Sequence, residues 1–401
     1  NRVSQSSGSW ILTTREGGIE SYTSAGQPIK IGDERGIGVT YNYNAARRLT
    51  GLTHSSGKQI QFEWNQNKVS AVIDPAGGRY TYQYAPSAML QVVTSPGGLI
   101  KRTYHYEVST NAGTLTGISL NDVRQTRVTY HSDGKVATSG KEGGIEKSTF
   151  TYGADYTDVT NTLGSTTRYH IAEVGDAKRV IGVEIPASAA CPARGTYTAY
   201  DSAGNKDYVV DALGNKTDYT YSEDGQLLLL ITGIGPGGNT ASQRITQYVW
   251  DPVKRERVLS VKGYGASLVS PISETLYDYY PDGHASARLL RWVKTFNRSS
   301  KGSPNQERIT AYGYSVYPSG MVQTVVVDGT YPGAGDQITV QYSSSGDLLS
   351  TANTVGHAVT YTNHTALGQA GRITSENGQI LDLTYDLLGR LTKARAYRSS
   401  G

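Results

Sequence analysis

Several stretches of this chain carry residue types that could do chemistry. Gly233 to Gly238, GIGPGG, follows the apolar run Leu227 to Ile231 and satisfies the G-x-G-x-x-G spacing of a dinucleotide-binding turn. That turn works only where its last glycine opens a helix whose N-terminus meets a pyrophosphate. Pro236 and the following NTASQRIT offer no amphipathic helix, so the motif reads as a loop. Ser55 to Lys58, SSGK, ends like a phosphate loop, but Gln59 stands where Ser or Thr must meet magnesium, and Gly51 lies one residue too far upstream. It reads as a hairpin turn. Asp201 to Asp207, DSAGNKD, sets carboxylates around a glycine as a calcium loop would, yet lacks the DxDxDG order and the distal Glu. The histidines, His54, His105, His131, His170, His284, His357 and His364, form no HxxxH or other compact ligand pair and read as solvated or capping residues. A Ser-His-Asp triad would go unseen at long range, but no GxSxG elbow occurs. The expectation is a protein that is not an enzyme and takes no cofactor and no metal.

The elements that would position such residues are legible from composition. The chain has 401 residues, with 47 Gly, 30 Tyr, 3 Phe, 18% charged residues, one Cys and a formal net charge of +4. That length is ample for a large core and leaves the number of domains open. Its single Cys191 excludes an internal disulfide and a cysteine metal cluster, and leaves the redox compartment unconstrained. The longest aliphatic run, Leu227 to Ile231, is far short of the roughly 18–20 residues of a spanning helix. No charge run exceeds Lys254 to Arg257, KRER, so a phosphate-tracking surface and nucleic-acid binding are not expected. The N-terminus, NRVSQSSGSW, has neither an initiator Met nor the basic and apolar regions of a signal peptide, and reads as a segment cut from something longer. Tyrosines and β-branched residues argue against disorder. Thirty phenolic hydroxyls must find water or partners.

A repeat gives those tyrosines an address. IDPAGGRYTYQY and VDALGNKTDYTY share one frame: Asp74, Gly77, Tyr82 and Tyr84 match Asp211, Gly214, Tyr219 and Tyr221, and Asp33, Gly36, Tyr41 and Tyr43 repeat it. At Gly57 the aromatic slots hold Phe62 and Trp64. A second half-motif, Tyr-x-x-x-Gly, joins Tyr200 to Gly204, Tyr221 to Gly225 and Tyr385 to Gly389. The halves interlock into a unit of about twenty-one residues with a glycine near every tenth, supplying the positive φ of tight hairpins, and Asp or Asn beside it favours the turn. Between glycines the text alternates with period two, as in Tyr80-x-Tyr82-x-Tyr84, the signature of a half-buried strand. No stretch keeps a helical stripe for three turns without meeting a glycine, so helix should be nearly absent. The fold class expected is all-β: one long antiparallel hairpin sheet that strand twist of roughly 20–25° per step curls into a spiral shell. Stacking equivalent positions of successive units predicts aromatic over aromatic. Residues 171–199, 231–246 and 296–308 break the ten-residue beat and read as loop insertions in one continuous repeat region, 1–401.

These residues carry a resemblance. Tyr385 to Thr392, YDLLGRLT, with Tyr385, Asp386, Gly389, Arg390 and Leu391, resembles the YD-repeat signature of the Rhs family, and YDSAGN from Tyr200, YSEDGQL from Tyr221 and YNAARRL from Tyr43 are similar, the last with Arg47 in the glycine's place. The resemblance covers essentially the whole chain. It implies a hollow β-cocoon of the kind found in bacterial polymorphic toxins, insecticidal toxin complexes and teneurins. In the bacterial members that shell encloses a C-terminal toxin domain, kept partly unfolded until delivery into a target or competitor cell by a secreted or injected protein. The family's shell usually ends in a self-cleaving aspartyl-protease-like plug with a DPxGL-type motif. The only similar text, DPAGG at Asp74, lacks the Leu and sits in a repeat turn, so no protease is assigned to it.

The resemblance therefore implies a non-catalytic segment of a toxin-enclosing shell. Its partners would be the remainder of the parent polypeptide and its enclosed domain, delivery machinery, and further copies of itself through open sheet edges. Two other classes stand beside it. A cell-surface module could bind carbohydrate or protein through the 171–199 and 231–246 segments. A loop-borne hydrolase would need a pair of carboxylates at a spacing the sequence does not supply.

Overall fold

The computed structural model describes residues 2–398 apart from 7, 15, 16, 110, 112, 188–190 and 332. Among the described residues thirty-four strands form one sheet. Each pairs antiparallel with the next in sequence, from Arg2–Ser6 at one edge to Leu391–Arg398 at the other. The first and last strands do not pair with one another among the described residues, so the sheet is a strip and not a barrel. Strands run from three residues, Arg372–Thr374, to ten, Glu307–Val316. The helical content of the described residues is four single-turn 3-10 segments.

The glycine beat makes this strip. In the commonest turn Asp, Asn, Ser, Thr or His opens a five-residue connection whose fourth member, usually Gly, takes φ near +80°. At Asp211, for example, the Gly214 N–H donates to the Asp211 carbonyl at 3.0 Å and the Asp211 N–H to the Asn215 carbonyl at 2.9 Å. This is a type I turn closed by a left-handed residue, which adds a bulge and keeps the flanking strands twisted. Arg47 fills the glycine slot of its turn at φ 58°.

A single sheet has little to bury. Among the described residues the strand contacts run between sequence neighbours, with no second layer packed on either face. The buried hydrophobic residues among those described are Ala71, Ile245 and Tyr264. Along Gln59–Asn65 and Val123–Tyr130 exposed and half-buried residues alternate strictly. One face presents Gln59, Gln61 and Glu63. The other presents Ile60, Phe62 and Trp64.

The expected loop insertions are corrected in part. Most of 171–199 is strand: Thr166–Val174 and Ala177–Ile185 form a long hairpin, and Arg194–Tyr200 follows. The beat fails there because the connection shrinks to Gly175-Asp176, a two-residue turn with Gly175 at φ 60°. Residues 188–190 of that stretch lie outside the described residues. In the other two segments the irregular part narrows to 235–243 and 298–306, between strands that reach Ile234 and Asn297 and resume at Arg244 and Glu307.

Because strands alternate in direction, the turns fall along two rims. We call upper the rim whose turns follow Tyr22, Tyr43, Tyr84, Tyr200 and Tyr385, and lower the rim holding the turns at Asp33, Asp74 and Asp211. The strip winds until its lower rim, near the start of the chain, meets its upper rim near the end. Lys58 Nζ lies 2.7 Å from Asp347 Oδ1 across 289 residues of sequence. Arg35 Nη2 donates to the Gly320 carbonyl at 2.6 Å across 285.

Candidate functional site

The signature residues occupy two positions, the turns and the strand ends that enter them. Each signature Asp holds its turn from within. Asp33, Asp74, Asp211 and Asp386 accept, through Oδ1, the N–H groups two and four residues on, at 2.7–3.0 Å. Asp201 does the same at 2.9 and 2.8 Å, so its carboxylate is occupied by its own turn. Hydrogen bonds from Asn205 and Asn215 hold the Asp201 and Asp211 carboxyls below their ordinary value, and those from Arg390 do so for Asp386. Gly36, Gly77, Gly204, Gly214, Gly225 and Gly389 all have positive φ.

At ten upper-rim turns the aromatic residue leading into the turn makes a rung. Tyr43, Trp64, Tyr84, Tyr106 and Tyr130 donate from Oη or Nε1 to the carbonyls of Pro28, Leu49, Val69, Leu90 and Leu115 at 2.5–3.0 Å. Tyr152, Tyr200, Trp250, Tyr279 and Tyr385 repeat the contact on Val136, Val180, Leu227, Val258 and Ala370 at 2.8–3.2 Å. Each acceptor lies at or near the start of the strand that follows the preceding upper-rim turn. Phenylalanine cannot make this bond and the indole N–H can, which is why Trp64 and Trp250 substitute for Tyr. Burial pushes the phenols of Tyr43, Tyr106 and Tyr279 up, so they stay donors.

In five of these ten rungs the residue before the acceptor is a cation that completes it. Arg48, Lys68, Lys135, Arg179 and Arg257 lie over the rings of Trp64, Tyr84, Tyr152, Tyr200 and Tyr279 with the charge 4.8–5.2 Å from the ring centre. Such contacts contribute about 0.5–1 kcal/mol each at exposed sites. Where the slot holds glutamine, the amide reaches the next turn instead: Gln27 donates to the Arg47 carbonyl at 3.0 Å and Gln369 to the Gly389 carbonyl at 2.5 Å. Expected aromatic-on-aromatic stacking is thereby corrected for the pre-turn positions, while Tyr197 and Tyr208 do meet across neighbouring strands with ring centres 6.0 Å apart. Equivalent tyrosines sit two strands apart, roughly 9–10 Å, too far for ring contact, and the cation of the intervening strand fills the gap. Tyr219 and Tyr221, with ring centres 6.4 Å apart, are a stacked pair within one strand.

The seam between rims is the second constellation, and sequence reading missed it. Glu34, at the tip of a lower-rim turn, pairs with Arg288 at 2.7 Å and Lys254 at 3.5 Å. Burial works to raise the Asp347 carboxyl, but hydrogen bonds from Lys58 and Ser345 outweigh it and hold the group below its ordinary value. Leu387 of the last upper-rim turn reaches the Pro96–Gly98 turn, where a Cβ on Gly97 would stand 2.8 Å from its Cδ1. No periodic signal marks these partners, because the repeat fixes neighbours and not the number of hairpins in one lap.

The motifs that suggested chemistry fall on turns. GIGPGG ends a strand and forms a 3-10 turn at Pro236–Gly238. SSGK is the lower-rim turn that delivers Lys58 to Asp347. His54 bonds Ser56, His105 bonds Ser119, and His131 donates to the Phe150 carbonyl. No cluster of three or more His, Cys, Asp or Glu side chains able to hold a metal occurs among the described residues. A cleft of ≈ 430 Å³ opens beside the 166–185 hairpin, with His170, Glu184, Arg194 and Tyr197 in its wall. No helix of the described residues is long and apolar enough to cross a membrane.

A single-layer antiparallel strip whose rims meet after one lap is a spiral β-shell. The whole chain superposes on 26% of the chain in the crystal structure of TcdB2-TccC3-Cdc42, with a TM-score of 0.52 and 12% identity. It also covers 24% of the chain in TcdB2-TccC3-TEV and 23% in a Photorhabdus luminescens Tc holotoxin pore with mutated TccC3, each at a TM-score of 0.49 and 12% identity. The chain thus spans about a quarter of the length of the solved structures it matches. The likeness is one of fold, and it agrees with the Rhs/YD-repeat resemblance of the sequence. No protein-family profile and no curated protein sequence matches the chain.

Proposed function

We propose that residues 1–401 act as one continuous, non-catalytic wall segment of a YD-repeat shell in a secreted or injected bacterial protein. Together with the remainder of its parent polypeptide the wall encloses a C-terminal toxin or effector domain until delivery to a target or competitor cell. The observation that carries this reading is the seam: a sheet one layer thick that closes on its own rim is built to separate two spaces. The half-buried aromatic face is assigned to the inside, since side chains on a concave face converge and cover one another. Many phenolic hydroxyls of that lining are already committed to carbonyls, so it offers an enclosed chain ring faces and cations more than free hydroxyls. The test is limited proteolysis of the parent polypeptide. The enclosed domain should resist cleavage in the wild type and be cut in Lys58→Ala/Asp347→Ala, and equal cleavage of both would remove the reading.

The cleft at His170, Glu184 and Tyr197 favours a second reading, a saccharide site, because an aromatic ring and paired polar groups share one concavity. Binding on a glycan array that is lost in Tyr197→Ala would support it.

A further inference from the structure

The two faces of the sheet hold their cations differently. On the face of Gln61 and Glu63, turned away from the rungs, cations are neutralised by carboxylates of neighbouring strands. Arg79 pairs there with Glu63, Arg168 with Asp158 at 2.8 Å and Lys294 with Glu307 at 2.8 Å.

The aromatic face carries cations without such partners. Arg102 shares a register row with Val93 and Tyr82 and alternates with Tyr104 on its own strand. Arg244 alternates with Thr246, Tyr248 and the rung residue Trp250. Arg308 pairs with Thr295 and, through it, with Thr275 on the strand of the rung residue Tyr279. All three arginines are exposed, and none has a carboxylate partner among the described residues. Toward the upper rim Arg48, Lys68 and Arg179 lie over rung rings, again with no carboxylate partner among the described residues; Arg48 donates to Asn67 and Arg179 to the Gly204 carbonyl. Carboxylates are few on this face. Glu20 accepts from the Tyr22 hydroxyl, Glu173 stands opposite Lys178, and Asp207 lies at the bulge beside Tyr200. Two bands of cations, one toward each rim, thus flank a belt of tyrosines. The seam joins the turn after the fourth strand to the turn after the twenty-seventh, a lap of twenty-three strands. Arg102 in the eleventh strand and Arg244 in the twenty-third stand about half a lap apart, so on the inner face of a wound strip they look at one another across the hollow.

We propose that the aromatic face is a binding surface for an acidic polypeptide segment. Resting on the enclosure reading above, this makes the enclosed domain the bearer of that segment, with Asp and Glu side chains on the arginines and apolar side chains on the tyrosine belt. Charge complementarity decides the occupant. A guanidinium fork matches a carboxylate, and a cation with no partner of its own need not give one up to bind. A polynucleotide fits less well, because these cations stand singly on distant strands and form no continuous track for regularly spaced phosphates.

Fluorescence anisotropy on the 401-residue chain tests this, with labelled peptides of alternating Glu and Gly or of alternating Lys and Gly, and a labelled oligothymidine of equal length. The Glu peptide should bind at least about tenfold more tightly than either of the others. Arg102→Gln/Arg244→Gln/Arg308→Gln should weaken it at least about tenfold. Arg79→Gln/Arg168→Gln/Lys294→Gln removes as much charge from the opposite face and should leave the affinity within about twofold. An unchanged circular dichroism spectrum and melting temperature establish that each variant is folded, and the three arginines are also replaced singly. Equal weakening by the two triple variants overturns the proposal, as does a preference for the Lys peptide. Tighter binding of the oligothymidine reassigns the face to nucleic acid and overturns it too. Proteolysis of the parent polypeptide answers separately for enclosure: protection without peptide binding removes this inference alone, and peptide binding without protection leaves it standing and removes the enclosure.

Discussion

At the strand ends that carry a rung, one polar hydrogen decides the residue type. A Tyr Oη–H or a Trp Nε1–H satisfies a carbonyl near the start of an earlier strand, and a ring without that hydrogen would leave it to water. Tyr84→Phe and Trp64→Phe are therefore each expected to lower stability by about 0.5–1.5 kcal/mol, read as a shift in the urea midpoint. The carboxylates of the turns and strands give a pH dependence of defined sign. Arg124 and Thr116 hold Glu107 at about 2, and Arg372 and Tyr397 hold Asp382 at about 2. Asp201 and Asp386 are lowered as well. A group lowered in the folded state binds fewer protons there than when unfolded, so its contribution is complete above the ordinary value of 3.8 or 4.5 and is lost as pH falls through the folded value. The melting temperature should hold from pH 7 to 5 and fall steeply from pH 4 to 2. Asp382→Asn should flatten that fall.

The hairpin is the next unit, and its glycine is its most exacting residue. Gly214, at φ 83°, should cost about 1 kcal/mol as Ala, because a Cβ disfavours the left-handed region. Arg47 offers the reverse experiment: it already pays that strain at φ 58°, so Arg47→Gly should leave thermal stability unchanged or raise it by up to about 1 kcal/mol. Much of this level was legible in the sequence. Asp33, Gly36 and Tyr43 announce their turn and strand because local backbone chemistry, repeated often, is the whole reason those residues are there. The hairpin at Gly175-Asp176 was hidden because its turn dropped three residues and with them the beat. The cation in the rung was half visible, because it takes the position that Arg390 holds in the signature, where Arg390 itself binds Asp386; the ring that such a cation covers lies on another hairpin, and only pairing register brings the two together.

At the scale of the whole molecule the seam is the element to break. Lys58 and Asp347 are 28% and 12% exposed, so losing one partner leaves the other poorly solvated. Asp347→Ala should speed amide hydrogen exchange in the strands beside the two turns, Leu49–His54 and Leu348–Asn353, while leaving the hairpin at Thr166–Ile185 unchanged, as mass spectrometry would show. None of this was readable from the chain, since the contact depends on the accumulated twist of more than twenty strands. The 289-residue separation of Lys58 and Asp347 also acts as a vernier. Removing a single hairpin from that arc would slide every later tooth past its mate, setting Lys58 near the next turn along in place of Asp347 and offering Leu387 a neighbour other than Gly97. Gains and losses of repeats within a lap are therefore tolerable only in compensating pairs, and the girth of the shell is fixed by counting rather than by any one bond.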